Sequence, residues 1–203
     1  MKFGTMAIVG CPNVGKSTLV NTIVKQKIAI VSDKPQTTRS RILGVAHFPE
    51  GQLALLDTPG LHRPWHQLNK RMVRIALDTV RDADILAVMV DGRQKPRLRD
   101  REVVDQVFSS PDRSTTISPA FLLVNKIDLM SKPKMLPVIE AYQQLGEWSE
   151  IVPLSAKTGL NVDRLRDLVF ARLSEHEGAY DEDFVTDPVS YTHLRAHETD
   201  SYL

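Results

Sequence analysis

Gly10-Cys11-Pro12-Asn13-Val14-Gly15-Lys16-Ser17 sets two glycines, a lysine and a hydroxyl at the spacing G-x-x-x-x-G-K-[ST]. That pattern can hold the phosphates of a nucleotide. Glycine at positions 10 and 15 lets the backbone pass close to phosphate oxygens, where a Cβ would obstruct. Successive backbone N–H groups and the start of a following helix then point at the anion. Lys16 supplies a mobile positive charge for the outer phosphates, and the Ser17 hydroxyl suits Mg2+. Asn13, Val14, Gly15, Lys16, Ser17 and Thr18 are therefore the expected phosphate-binding residues. Chance places the four fixed positions in roughly one chain of this length in a hundred. The apolar run before the loop and the helical pattern after it lower that further.

A second group, Asn125-Lys126-Ile127-Asp128, follows an apolar run. Guanine presents two adjacent donors, N1–H and the 2-amino group, and one carboxylate can accept both. Adenine would leave that carboxylate unpaired, which is the kind of mismatch that discriminates strongly. Asn-Lys-x-Asp here resembles the guanine-specificity motif of P-loop GTPases. The resemblance implies that Asp128 accepts the guanine donors, Asn125 braces the loop and faces the purine N7 edge, and the Lys126 stem covers the base. Ser155-Ala156-Lys157 resembles the matching base-supporting loop, with the Ala156 N–H directed at guanine O6.

Asp57-Thr58-Pro59-Gly60 resembles the D-x-x-G motif of the same proteins. It implies that Asp57 helps to hold Mg2+ and that the Gly60 N–H contacts the γ-phosphate. Gln36-Thr37-Thr38-Arg39 lies in a long polar stretch, residues 25–41, that fits neither helix nor strand. Loops of that length in compact domains are usually functional or disordered. By resemblance, Thr38 is the Mg2+ ligand that engages only with a γ-phosphate. Lys16, Thr38, Gly60 and Asn13 make up the expected catalytic set, and Ser17, Thr38 and Asp57 the metal set.

These residues need a scaffold. Apolar runs over 3–9, 42–47, 52–57, 85–91, 120–125 and 150–153 read as strands. Helical patterns over 16–24, 68–80, 98–108, 134–145 and 162–173 alternate with them. That alternation predicts a three-layer α/β domain with a mostly parallel six-stranded sheet. The turn residues Phe48-Pro49-Glu50-Gly51 predict one antiparallel strand. Most of the motifs then fall at the carboxyl end of a strand.

The chain has 203 residues, with 26 basic and 25 acidic ones for a formal charge of +1. Hydrophobic residues are 42% and charged residues 25%, which excludes a wholly disordered or fibrous chain. A single cysteine, Cys11, allows no internal disulfide, and no apolar run reaches the length needed to span a bilayer. The charge is uneven: residues 174–203 carry one Arg against eight acids, a net of −7, and residues 1–173 carry a net of +8. The basic stretch Arg93, Lys95, Arg97, Arg99 and Arg101 could meet RNA phosphates or remain a solvated helix start.

Taken together, Gly-x-Pro-Asn-Val-Gly-Lys-Ser, Pro-Gln-Thr-Thr-Arg, Asp-Thr-Pro-Gly-Leu-His and Asn-Lys-Ile-Asp resemble the bacterial Era family of GTPases, over about residues 5–187. The resemblance implies a Ras-like G domain that hydrolyses GTP to GDP and acts as a switch in small ribosomal subunit assembly, with 16S rRNA as partner. It further implies a monomer in the cytoplasm with peripheral contact at the inner membrane. Two sister families, the Der and MnmE GTPases, share several motifs but usually carry Thr-Arg-Asp after the switch threonine, where this chain has Arg39-Ser40. A further alternative is a truncated nucleotide-binding module with little RNA binding.

Two departures stand out. Leu61 occupies the place where Ras-like proteins carry a water-orienting Gln. Related families with an apolar residue there recruit K+, held in part by the loop asparagine, here Asn13. His62 next to it reads as a solvated loop histidine. The second departure is the C-terminus. The expected division is a GTPase domain over 1–175, a linker over 176–188 and a non-native tail over 189–203, with no stretch resembling the RNA-binding KH domain of the family. His193 and His197 are four apart but lack a third metal ligand nearby.

Overall fold

The computed structural model describes residues 1–24, 42–57, 83–108 and 119–175. The expected helix over 68–80, the residues Thr38, Gly60, Leu61 and His62, and the segments 176–188 and 189–203 lie outside the described residues.

The elements run β1 (Lys2–Val9), α1 (Lys16–Val24), β2 (Ile42–Phe48), β3 (Gly51–Asp57), β4 (Ile85–Asp91), α2 (Leu98–Phe108), β5 (Ala120–Asn125), a short 3-10 turn (Ile127–Leu129), α3 (Lys132–Gln143), β6 (Glu150–Pro153) and α4 (Val162–Arg172). The six strands form one sheet in the order β2-β3-β1-β4-β5-β6. β2 pairs antiparallel with β3 across the turn at Pro49-Glu50, and every other pairing is parallel. The expected mostly parallel sheet with one antiparallel strand is what the chain builds.

Burial explains why the central strands read as unbroken apolar runs. Every residue of β4 and of β5 is buried. Strands covered on both faces lose the alternation that a half-exposed strand would show. Met6, Ile8, Leu55, Met89, Phe121 and Leu122 are fully enclosed and form the centre of the core. β1 lies between β3 and β4, so β2 and β3 are added on one side of it and β4, β5 and β6 on the other, a reversal in strand order. Ligands of open α/β sheets sit in the crevice at such a reversal, beyond the carboxyl ends of the strands. The register staggers those ends: Ile8 is opposite Asp57 and Val9 opposite Val88, while β4 runs on to Asp91, which is opposite Asn125 at the end of β5.

One helix is displaced from its expected span. α3 begins at Lys132 and ends at Gln143, two residues earlier at each end than the pattern over 134–145 suggests. Ser131 is the extended N-cap and Pro133 lies in the first turn. A proline there loses nothing, because first-turn N–H groups have no partner within the helix.

Candidate functional site

The loop after β1 is shaped by two glycines, for a reason beyond phosphate access. Gly10 has φ +156° and Gly15 has φ +111°. A Cβ on Gly10 would strike the Met89 carbonyl oxygen of β4, and one on Gly15 would strike Nδ2 of Asn125. The glycines therefore also let the loop pack onto the neighbouring strands. Asn13 takes the left-handed conformation at φ 63°, which asparagine tolerates better than most residues. Lys16 is 8% exposed. Its Nζ donates to the carbonyls of Gly10 and Cys11 at 3.2 Å each, so the ammonium spans the loop mouth. Cys11 itself is buried, and burial, reinforced by the negative charge of Asp100, pushes its thiol up to about 12. It is a packed spacer and not a nucleophile.

Asn125 ties three segments together. Its amide is buried; Nδ2 donates to the Val14 carbonyl at 2.6 Å, and Oδ1 accepts from the Ala156 N–H at 2.9 Å. These two bonds brace the phosphate loop and the turn after β6 against the end of β5. The Ala156 amide, expected to face a purine oxygen, donates here to Asn125. Thr22 Oγ1, from α1, lies 2.6 Å from the Ala156 carbonyl oxygen and holds the same turn from the other side. That turn is internally bonded. Ser155 Oγ accepts from Thr158 N at 3.2 Å, Ser155 O accepts from Gly159 N at 2.9 Å, and Asn161 Nδ2 donates to Pro153 O at 2.7 Å. Ser155 is fully buried, while Lys157 is exposed.

Lys126 is left-handed at φ 69°, an uncommon state for a lysine. Its Nζ donates to the Asn13 carbonyl at 2.7 Å and to Asp91 Oδ2 at 2.9 Å. Asp91, at the end of β4, also accepts from Arg93 Nε at 2.9 Å, Arg93 Nη2 at 2.7 Å and Arg93 N at 3.1 Å. Burial pushes the Asp91 carboxyl up, but the hydrogen bonds from Arg93 and Lys126 outweigh it and lower it from 3.8 to about 2. A depressed folded-state value stabilises above the unfolded value and is lost as pH falls through the folded one. Stability should thus drop by about 2 kcal/mol between about pH 4 and pH 2. Urea midpoints across that range check this; Asp91→Asn should lack the Asp91 share of the decline.

Asp128 lies in the 3-10 turn, exposed, and lines a cavity of about 450 Å³ together with Gly15, Arg93, Asn125, Lys126 and Ala156. That volume is in the ordinary range for small-ligand sites. The cavity runs from the phosphate loop, where Thr18 also lines it, to the base-recognition turn. Ser17 lies in the first turn of α1, partly buried, and Asp57 ends β3 one strand away from the loop. By residue type, serine and aspartate supply hard oxygen donors of the kind Mg2+ accepts.

Sequence reasoning missed Asp91, Arg93 and Thr22 as parts of this edge. The signal for Asp91 was present: like Asp57, it is an acid closing an apolar strand. Of the basic stretch after it, Arg93 is taken up by Asp91, and Arg97 pairs with buried Asp100 at 3.5 Å. Lys95, Arg99 and Arg101 remain exposed.

Residues 5–126 match the family described as 50S ribosome-binding GTPase. The chain is 44% identical over 175 residues to the GTPase Era of Heliobacterium modesticaldum, covering 86% of this chain and 56% of that one. It superposes with a TM-score of 0.82 on the crystal structure of a single-residue variant of Aquifex aeolicus Era bound to GDP.AlF4-. It superposes at 0.83 on an Era structure in complex with MgGDPNP and nucleotides 1506–1542 of 16S ribosomal RNA. Both are 40% identical, and the match covers 92% of this chain and 62% of each of those. The chain thus spans a little over half the length of the relatives it resembles. With more than half of its residues matched, the chain belongs to the family of 50S ribosome-binding GTPases and has the Era GTPases among its relatives.

Proposed function

We propose that this chain binds GTP across the cavity between the phosphate loop and Asp128, and hydrolyses it to GDP and phosphate. The observation that carries the reading is the Asn125 brace. One buried amide couples the loop that suits phosphates to the turn that presents an exposed carboxylate at the far end of the same cavity. The backbone N–H groups of Asn13 to Ser17 and the Lys16 ammonium hold the phosphates and neutralise charge as the γ-phosphoryl group leaves. Lys126 covers the base, Asp128 accepts from its donors, and Ser155, Ala156 and Lys157 support it. Ser17 and Asp57, joined by Thr38, would hold Mg2+, which would supply positive charge to offset that of the phosphates. The Gly60 N–H contacts the γ-phosphate. The family match supports this, since relatives have been crystallised with MgGDPNP and with GDP.AlF4-.

As the larger role we propose a switch that engages small-subunit 16S rRNA, a reading supported by the relative crystallised with a 16S rRNA fragment, and that works as a monomer in the cytoplasm with peripheral contact at the inner membrane. Among the described residues no helix is long and apolar enough to cross a membrane. With Leu61 where a water-orienting Gln would stand, intrinsic hydrolysis is slow and depends on K+ or on a partner; K+ held in part by Asn13 would supply a positive charge in place of an arginine finger. GTPase rates in KCl should exceed those in NaCl severalfold. A fast rate indifferent to the cation contradicts the potassium role.

The binding claim is tested by displacement of a fluorescent GDP from the purified chain. GTP is expected to compete, and ATP to fail even at concentrations about a hundredfold higher. Equal displacement by both overturns the guanine assignment.

A further inference from the structure

We propose that Asp91 is a positioning residue for guanine-nucleotide binding, acting through Lys126. This rests on the reading above and names a residue that the motifs do not include. The geometry is a relay at the carboxyl edge of the sheet. Asp91 Oδ2 accepts from Lys126 Nζ at 2.9 Å, and the same ammonium donates to the Asn13 carbonyl of the phosphate loop at 2.7 Å. One carboxylate on β4 therefore fixes the lysine that joins the base turn to the phosphate loop.

Three features make Asp91 more than an incidental partner. First, it is set rigidly. It ends a fully buried strand, is opposite Asn125 in the parallel register, and is 5% exposed. Arg93 holds it from the far side with two side-chain nitrogens and its own N–H. Such forked contacts fix a carboxylate in orientation as well as position.

Second, Lys126 needs an anchor. A left-handed non-glycine residue persists only where its surroundings hold it. Lys126 is followed at once by the turn that carries Asp128, and Leu129 N bonds back to the Lys126 carbonyl at 3.1 Å. Where the Lys126 ammonium goes, the start of that turn follows.

Third, the two ties of the ammonium are unequal. The Asn13 carbonyl is neutral, so Asp91 is the charged group that decides where the ammonium rests. Without Asp91, the lysine stem is free to swing away from the face of the base it should cover. A neutral base would then be held by Asp128 alone on a looser turn.

The test is a double-mutant cycle on nucleotide release. Asp91→Asn keeps the shape and removes the charge. It is expected to raise the release rate of fluorescent GDP about tenfold, which is about 1.4 kcal/mol. Lys126→Met removes the ammonium and should raise it to a similar extent. In the Lys126→Met background, Asp91→Asn should add less than about twofold, because the route through which it acts is gone. A merely structural Asp91 would keep its full effect in that background, and additive effects overturn the proposal. If Asp91→Asn fails to fold, as judged by circular dichroism, Asp91→Glu takes its place in the same cycle, and additive effects there overturn the proposal. The two levels of failure are separable. A wild-type chain that binds no GDP sinks the guanine-nucleotide reading itself, whereas a binding wild type with additive variants sinks only the role of Asp91.

Discussion

Asp128→Asn should weaken GTP binding about a hundredfold while raising affinity for xanthosine triphosphate above that of the wild type. Guanine offers N1–H and a 2-amino group, and a carboxylate accepts from both. A hydrogen bond to a charged group contributes about 1.5–3 kcal/mol, so losing the charge and turning an amide N–H2 toward the 2-amino group costs at least about 2.7 kcal/mol, or a hundredfold. Xanthine keeps N1–H and carries a 2-oxo group. The asparagine can then accept from the first with its oxygen and donate to the second with its nitrogen. Asp128 is exposed and sits in a short turn, so the substitution should leave the thermal midpoint of the unliganded protein within about 1 °C. Displacement of fluorescent GDP by each triphosphate gives the readout. Equal losses for GTP and xanthosine triphosphate would mean that Asp128 does not read the base edge.

Gly15→Ala is expected to damage both fold and site, through one collision. The added methyl would occupy the place of Asn125 Nδ2. The backbone there, at φ +111°, is also one that a residue with a Cβ adopts only under strain, at about 1–3 kcal/mol. If Asn125 moves aside, its bonds to the Val14 carbonyl and the Ala156 N–H are lost together. That leaves buried polar groups unpaired, at about 1–3 kcal/mol more. A domain of this size shifts its midpoint by about 2–4 °C per kcal/mol, so a fall of at least about 4 °C is expected by calorimetry without nucleotide. GDP affinity should fall by more than about a hundredfold, because the phosphate loop and the base turn no longer share a brace. An unchanged midpoint with retained GDP binding would contradict the role given to the Gly15–Asn125 contact.

Much of this site is visible in the one-dimensional pattern because its chemistry is local. The phosphate loop is a single run from Gly10 to Ser17, and the base motif a single run from Asn125 to Asp128. Their strand contexts are equally local, since β4 and β5 are short apolar runs between polar stretches. The limits appear where distant residues meet. Nothing near Gly15 announces that its missing Cβ makes room for Asn125, which is far along the chain. The pairing of Asp91 with Lys126 depends on β4 and β5 lying side by side in register. The commitment of Ala156 N–H to Asn125 depends on how the turn after β6 folds over β5. The basic stretch after β4 shows the converse: as a string it is a line of positive charge, but the fold directs Arg93 and Arg97 onto Asp91 and Asp100. The early start of α3 puts Pro133 in its first turn, where a proline is harmless.

The most direct measurement is equilibrium binding of guanine, adenine and xanthine nucleotides to the unaltered chain in Mg2+. The expected outcome is tight binding of GDP and GTP, with ATP and xanthosine triphosphate weaker by at least about a hundredfold. Comparable affinity for adenine nucleotides, or no affinity for any of the three, would contradict the assignment of Asp128 and the phosphate loop to one ligand.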